Sequence, residues 1–365
     1  MSRVVLSGYY GFNNAGDELV LYAMVRTLRE IRPDLEITVL SQQPEKTAKQ
    51  YDVQAVNRWS VFGILKAVAG CDLLISGGGS LFQDITSSNS PLYYWSVLFL
   101  AKLLGKKTMA YSQGVGPFKK KNNRRLASWL FHRLDIVTVR DEGSKTELIS
   151  LGVKREIIVT ADPVLGFPEQ AVRPEAGRAL LERSGVVFNA EKRLLGVFVR
   201  SWQEDKFLPA LVKACDTLSA AGWQIVFVPM HFPQDITIAK QAAKQMTANS
   251  VCIKEMGSPE EMLSLTKNFD LLIGMRLHAL INGAVAGVPL VGISYDPKVE
   301  RFLQQIGQQS LNTVEELNAE TLVALVKWVD ENRAEIAKDM TVRMGRLRQK
   351  AWQAARLAVG LLEMQ

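Results

Sequence analysis

Asp270-Leu271-Leu272-Ile273-Gly274-Met275-Arg276-Leu277-His278-Ala279-Leu280-Ile281-Asn282-Gly283-Ala284 is where the reading of this chain begins. A short apolar run ends in Gly274, an Arg and a His follow two residues apart, and a helical pattern rich in small residues starts at once. The pattern predicts a buried parallel strand, a tight turn, and a helix whose first turn carries a cation and an imidazole. A helix N-terminus offers free backbone N–H groups and partial positive charge, so with Arg276 it suits a phosphate or carboxylate. His278 is then placed to move a proton. The competing reading is a surface Arg and a core His. The chain has three histidines, and this one falls at the carboxyl end of a strand, where open α/β sheets bind ligands.

Outward from this stretch the same rhythm repeats. Cys71-Asp72-Leu73-Leu74-Ile75-Ser76-Gly77 echoes Phe269–Gly274: an Asp opens an apolar strand that ends at glycine. Apolar runs at Val4–Leu6, Ile37–Leu40, Leu73–Ser76, Thr108–Ser112, Ile136–Val139 and Ile157–Thr160 read as buried parallel strands. A second set reads the same way at Leu194–Val199, Gln224–Pro229, Val251–Ile253, Leu271–Ile273 and Leu290–Ile293. Between the sets lies a cluster of breakers from Pro163 to Pro174. The expectation is an α/β chain of two Rossmann-like domains facing one another across a cleft, residues 1–168 and 175–340, with a helix at 341–365 packing back on the first.

Composition narrows the function classes. At 365 residues two domains are expected, and 47% hydrophobic with 22% charged residues is ordinary for a soluble protein. Three scattered cysteines argue against a disulfide framework and for a reducing compartment. No signal peptide precedes the first strand, and the most apolar stretch, Leu92–Ala101, is about half a membrane span. A cytoplasmic protein is expected. The net charge of +7 and pI near 9.2 point to an anionic partner without choosing one.

Several stretches can carry chemistry. The first βα turn, Gly8–Glu18, has glycines for a tight turn but does not match G-x-G-x-x-G, so no dinucleotide is inferred. Within it Asn13 suits sugar hydroxyls and Asp17 suits a base, unless Asp17-Glu18 only caps the following helix. A second glycine-rich turn, Ser76–Asp84, could seat a ligand on its backbone N–H groups around Gly78, Gly79 and Gln83. Arg140 and Arg200 each follow a strand and could grip an anion, with a local pair to Asp141 or Glu142 as the rival for Arg140. Lys298 lies just past Leu290–Ile293. Four cations around one imidazole suit a small, multiply charged anion better than a polymer. Lys119, Lys120, Lys121, Arg124 and Arg125, followed by Trp129-Leu130-Phe131, can lie on an anionic bilayer; no nucleic-acid motif accompanies them.

Together, Gly8–Glu18, Ser76–Asp84, Tyr111–Pro117, Val139-Arg140-Asp141 and Gly274-Met275-Arg276-Leu277-His278 resemble the polysaccharide pyruvyltransferase family, above all its CsaB-type cell-wall members. The resemblance implies a GT-B-like fold and transfer of pyruvate from phosphoenolpyruvate, a co-substrate, to a sugar as a ketal. No cofactor or metal is implied. For CsaB-type enzymes it further implies a lipid-diphosphate-linked glycan acceptor, its N-acetylmannosamine pyruvylated at the 4- and 6-hydroxyls, in a wall polymer that anchors S-layer proteins. By the same resemblance Arg276, the backbone of Leu277, and His278 fall on the donor-binding motif, and Arg140, Arg200 and Lys298 join them. His278 is expected as general acid or phosphate partner and Asp17 as base. The rivals are a nucleotide-sugar glycosyltransferase, which would want an acidic group for a ribose, and a non-catalytic binder of lipid-linked glycans.

Overall fold

The computed structural model describes residues 1–84, 90–308, 310–311 and 313–364. They form two compact units. The N-terminal unit comprises Met1–Phe12, Asp17–Gly166 and Leu347–Gln365; the C-terminal unit comprises Asn13–Gly16 and Phe167–Arg346.

The N-terminal unit is built on a seven-stranded parallel sheet of order β3-β2-β1-β4-β5-β6-β7. Its strands are β1 Arg3–Ser7, β2 Glu36–Ser41, β3 Gln54–Asn57, β4 Leu73–Gly77, β5 Lys107–Gln113, β6 Ile136–Val139 and β7 Ile158–Val159. Val4 sits between Ile37 and Leu73, which fixes the register at the centre. The central strands are buried along almost their whole length, as helices on both faces require. Val5, Leu74 and Val137 join Phe82, Trp95 and Phe131 in one of the unit's apolar clusters.

The C-terminal unit repeats the plan with six parallel strands in the order β10-β9-β8-β11-β12-β13. These are β8 Arg193–Phe198, β9 Trp223–Phe227, β10 Ser250–Cys252, β11 Leu271–Gly274, β12 Leu290–Ile293 and β13 Ser310–Leu311. Helices Leu208–Ala220 and Ala319–Glu331 set Leu211, Leu218, Leu322 and Val326 against Val197, Ile225 and Ile273. In each sheet the strand order reverses once, between β1 and β4 and between β8 and β11. Ligands in open α/β sheets bind beside the carboxyl ends of the strands at such a reversal.

Some details differ from expectation. Two edge strands, β3 and β13, carry no buried apolar run and escaped the reading. The helix Lys121–Phe131 takes in Lys121, Arg124 and Arg125 of the basic run, while Lys119 and Lys120 precede it. The tail is two helices, and the second, Arg333–Glu363, runs unbroken past residue 341.

Candidate active site

In the N-terminal unit the two glycine-rich turns leave the neighbouring strands β1 and β4 at the reversal. Tyr10, fully buried, ties them together by donating its hydroxyl to the Gly77 carbonyl at 2.7 Å. Gly78 and Gly79 both have positive φ, and a side chain at Gly79 would meet Asp17 Oδ1 at 2.6 Å. Asp17 is buried, so its carboxylate lies on the backbone of the second turn. The Asn14 side chain accepts from Gly16 N, and Glu18 accepts from Gly11 N at 2.7 Å and from the Tyr51 hydroxyl. Burial raises the Glu18 carboxyl above its ordinary value despite those two donors.

Gln83 is half-buried beside Phe82, whose backbone pairs with Val115. The side chain that holds the turn is Gln113, donating to the Gly79 carbonyl at 2.9 Å. Arg140, expected to grip the donor, is buried in a local network. Its guanidinium lies 3.5 Å from Asp141 and 3.8 Å from Asp162, and donates to Ser80 Oγ at 2.8 Å. The local pair is thus formed to Asp141, with Asp162 as a second carboxylate that sequence reasoning did not find.

In the C-terminal unit the ends of β8, β11 and β12 bring together Arg200, Arg276 and Lys298 around Tyr295. The Arg200 guanidinium lies 4.4 Å and the Lys298 ammonium 5.6 Å from the centre of the Tyr295 ring, which packs on Trp202 at 5.1 Å. Burial alone would push the phenol up; the cations Lys298, Arg200 and Arg276 outweigh it and hold the hydroxyl below its ordinary value. Lys298 is also 3.0 Å from Asp296, which caps the helix Pro297–Gln305.

Arg276 is not simply poised for a ligand. It is the cap residue of the helix Leu277–Ala286, and its Nε and Nη2 donate to the carboxylate of Asp235, with Nε to Oδ2 at 2.9 Å. Asp235 is 1% exposed and also accepts from His231 N at 3.0 Å. Two of the five guanidinium N–H groups are used in this way. Leu277 and His278 open the helix, with Leu277 buried and His278 half-buried. The imidazole rests on Gly16: a Cβ there would fall 2.3 Å from Nδ1. Asn13, in a left-handed conformation, accepts from Phe232 N at 2.9 Å, and Ala15 N donates to the Met230 carbonyl at 2.7 Å. The segment Asn13–Gly16 is thereby laced to the loop that follows β9.

Tyr295, Asp235, His231 and Arg58 were not selected from the sequence. Arg58 is buried, donates to the Gly8 carbonyl at 2.7 Å and lies 4.1 Å from the Tyr93 ring centre. His231 and Tyr295 each lie two residues past a predicted strand, the one signal that could have marked them.

Two parallel-sheet Rossmann-like domains, each with one strand-order reversal, define a GT-B-like α/β fold. Solved structures share the fold. Anabaena Alr3699/HepE in complex with UDP-glucose aligns with a TM-score of 0.66 at 14% identity, over 99% of this chain and 100% of that one. A putative UDP-N-acetylglucosamine 2-epimerase from Listeria monocytogenes gives 0.68 at 14% identity, over 100% and 96%. The chain belongs to the polysaccharide pyruvyl transferase family, whose model matches residues 14–297. It is therefore a pyruvyltransferase. Among curated proteins it is similar to the amylovoran biosynthesis protein AmsJ of Erwinia amylovora, 21% identical over 398 residues, covering 93% of this chain and 94% of that protein.

Proposed function

We propose that the chain transfers pyruvate from phosphoenolpyruvate to a sugar of a lipid-diphosphate-linked glycan, closing a ketal across two hydroxyls. The observation that carries this reading is the convergence of Arg200, Arg276 and Lys298 on Tyr295 beside the N-terminus of the His278 helix. Phosphoenolpyruvate bears a phosphate and a carboxylate, and such a cluster matches two anionic groups on a small molecule. His278 protonates the methylene carbon, or holds the phosphate. The oxocarbenium-like carbon then takes one sugar hydroxyl, releases phosphate and takes the second hydroxyl. Asp17, at the glycine turn of the N-terminal unit, is the base proposed for the acceptor, with Asn13, Gly78, Gly79 and Gln83 as acceptor contacts. Leu277 contributes its backbone N–H, and Arg140 is carried as a donor ligand by family resemblance.

The acceptor proposed is the N-acetylmannosamine of a lipid-linked disaccharide, pyruvylated at its 4- and 6-hydroxyls, in a secondary wall polymer that anchors S-layer proteins. The site of action proposed is the cytoplasmic face of the cell membrane, reached through Lys119, Lys120, Lys121, Arg124 and Arg125. No helix among the described residues is long and apolar enough to cross a membrane.

The test is phosphate release from phosphoenolpyruvate with and without this acceptor, with the product weighed by mass spectrometry. Acceptor-dependent release with the mass gain of a pyruvate ketal is expected, and His278→Ala should slow it by about 10²–10⁴-fold. Near-normal turnover in His278→Ala would remove the acid role. Turnover of a nucleotide sugar instead of phosphoenolpyruvate would overturn the donor.

A further inference from the structure

Helices Ser90–Leu103 and Lys121–Phe131 of the N-terminal unit border an open groove of about 750 Å3, lined chiefly by Leu92, Trp95, Phe99, Leu126, Trp129 and Leu130. Leu92, Phe99 and Trp129 are 46%, 48% and 38% exposed, and Leu103 continues the row. Residues 92, 99 and 103 recur at helical spacing with Ser96 between them, so one face of the first helix presents a mainly apolar row to solvent. The Phe99 and Trp129 rings meet across the groove at 5.7 Å. Scattered exposed apolar side chains are ordinary; a contiguous apolar groove marks something that covers it.

The charge beside the groove says what. A second depression, of about 430 Å3, shares Arg125 and Trp129 with the first and adds Lys121, Arg124 and Ser128. The basic run is anchored: the buried Asp84 carboxylate accepts from Lys119 N at 2.6 Å, Lys120 N at 2.9 Å and Asn123 Nδ2 at 3.0 Å. Glu147, 3.7 Å from Arg124, offsets part of this charge, and Arg133 lies over the Trp129 ring at 4.2 Å. An isologous pairing of two copies through this face would set the same cations against one another.

We infer that this face docks on an anionic phospholipid bilayer, with an acyl chain entering the groove and a lipid phosphate seated on Lys121, Arg124 and Arg125. Trp129 then lies at the boundary between chain and headgroup, the depth that amphipathic aromatic side chains favour. The inference rests on the membrane contact proposed above for the basic run and is independent of the pyruvyl-transfer chemistry.

The test is flotation of the full chain with vesicles of phosphatidylcholine, alone or mixed with phosphatidylglycerol, using neither phosphoenolpyruvate nor acceptor. Binding is expected to the mixed vesicles only. Arg124→Gln and Arg125→Gln should each weaken it about fivefold, and Phe99→Ser with Trp129→Ser at least tenfold. Trp328→Ser, an equally exposed tryptophan in the other unit, should leave binding unchanged. Brominated lipid should quench fluorescence in the wild type more than in Trp129→Ser. Binding indifferent to Phe99→Ser and Trp129→Ser would overturn the groove and leave the basic run acting by charge alone. No binding by the wild type would overturn both. A dimer in light scattering that Phe99→Ser dissolves would make a second copy the occupant and overturn the lipid.

Discussion

Gly16 has no room for a side chain, and what fills the space is the imidazole of His278. Its φ is not in the left-handed region, so Gly16→Ala carries no backbone penalty there, and its whole effect falls on the position of that ring. If His278 serves as proposed, Gly16→Ala should cut turnover about 10²-fold, as an ångström of misplacement does. Circular dichroism and melting should stay near wild type. Tyr295 allows a second test. Tyr9, Tyr10, Tyr51, Tyr93, Tyr94 and Tyr111 are all raised above 10.0 by burial, whereas Tyr295 is lowered from 10.0. A phenol easier to ionise in the fold than in the unfolded chain adds stability only as pH rises toward 10.0, and none at neutral pH. Ultraviolet titration should therefore show a tyrosinate signal below 10.0 that Tyr295→Phe removes. At this scale the sequence marked Arg200, Arg276, His278 and Lys298 because each follows a strand. It did not mark Tyr295, which follows the same strand as Lys298 but carries no charge, or Asp235, whose importance comes only from what folding brings beside it. Arg58 and Asp162 escaped for the same reason.

The helix Leu277–Ala286 depends on a clamp outside itself. Asp235, from the helix Gln234–Gln245, holds the cap residue Arg276 by the Nε–Nη2 edge of its guanidinium. Asp235→Ala would leave a partly buried cation unpaired and two backbone N–H groups without their acceptor. A loss of about 3 kcal/mol in urea unfolding is expected. Helix Arg333–Glu363 offers the opposite case. Gly345 and Gly360 sit within it with nothing within 4 Å of an added Cβ. Gly345→Ala and Gly360→Ala should each stabilise by about 0.5–1 kcal/mol, read from the same unfolding curves. Central strands such as β6 Ile136–Val139 were legible because burial on both faces writes a continuous apolar run. The edge strand β3, Gln-Ala-Val-Asn, is half-exposed and writes no such pattern.

For the molecule as a whole, the two-sheet plan was readable from repeated strand–helix rhythm, and a C-terminal helix packing back on the first domain was expected; the grouping of Asn13–Gly16 with the second unit was not. One helix belongs to both units, its residues to Arg346 counting with the C-terminal unit and those from Leu347 with the N-terminal one. Ala354, Ala355 and Ala358 on it are fully buried, Trp352 Nε1 donates to the Gly166 carbonyl at 3.0 Å, and Lys107 Nζ donates to the Leu361 carbonyl at 2.9 Å. The helix's return was expected, but its partners Gly166 and Lys107 carry no local signature. A fragment of residues 1–166 should consequently aggregate or bind hydrophobic dyes, and a peptide of residues 333–364 added in trans should restore its solubility. A fragment that folds and melts cooperatively alone would contradict this.

That shared helix also sets a timetable. Ribosomes deliver chain from the N-terminus, so the seven-stranded sheet emerges early yet stays unfinished until residues 347–364 have been made. Through the synthesis of the entire second sheet the first must wait with Lys107 and Gly166 uncovered. A nascent chain stalled before residue 347 should be found with chaperones.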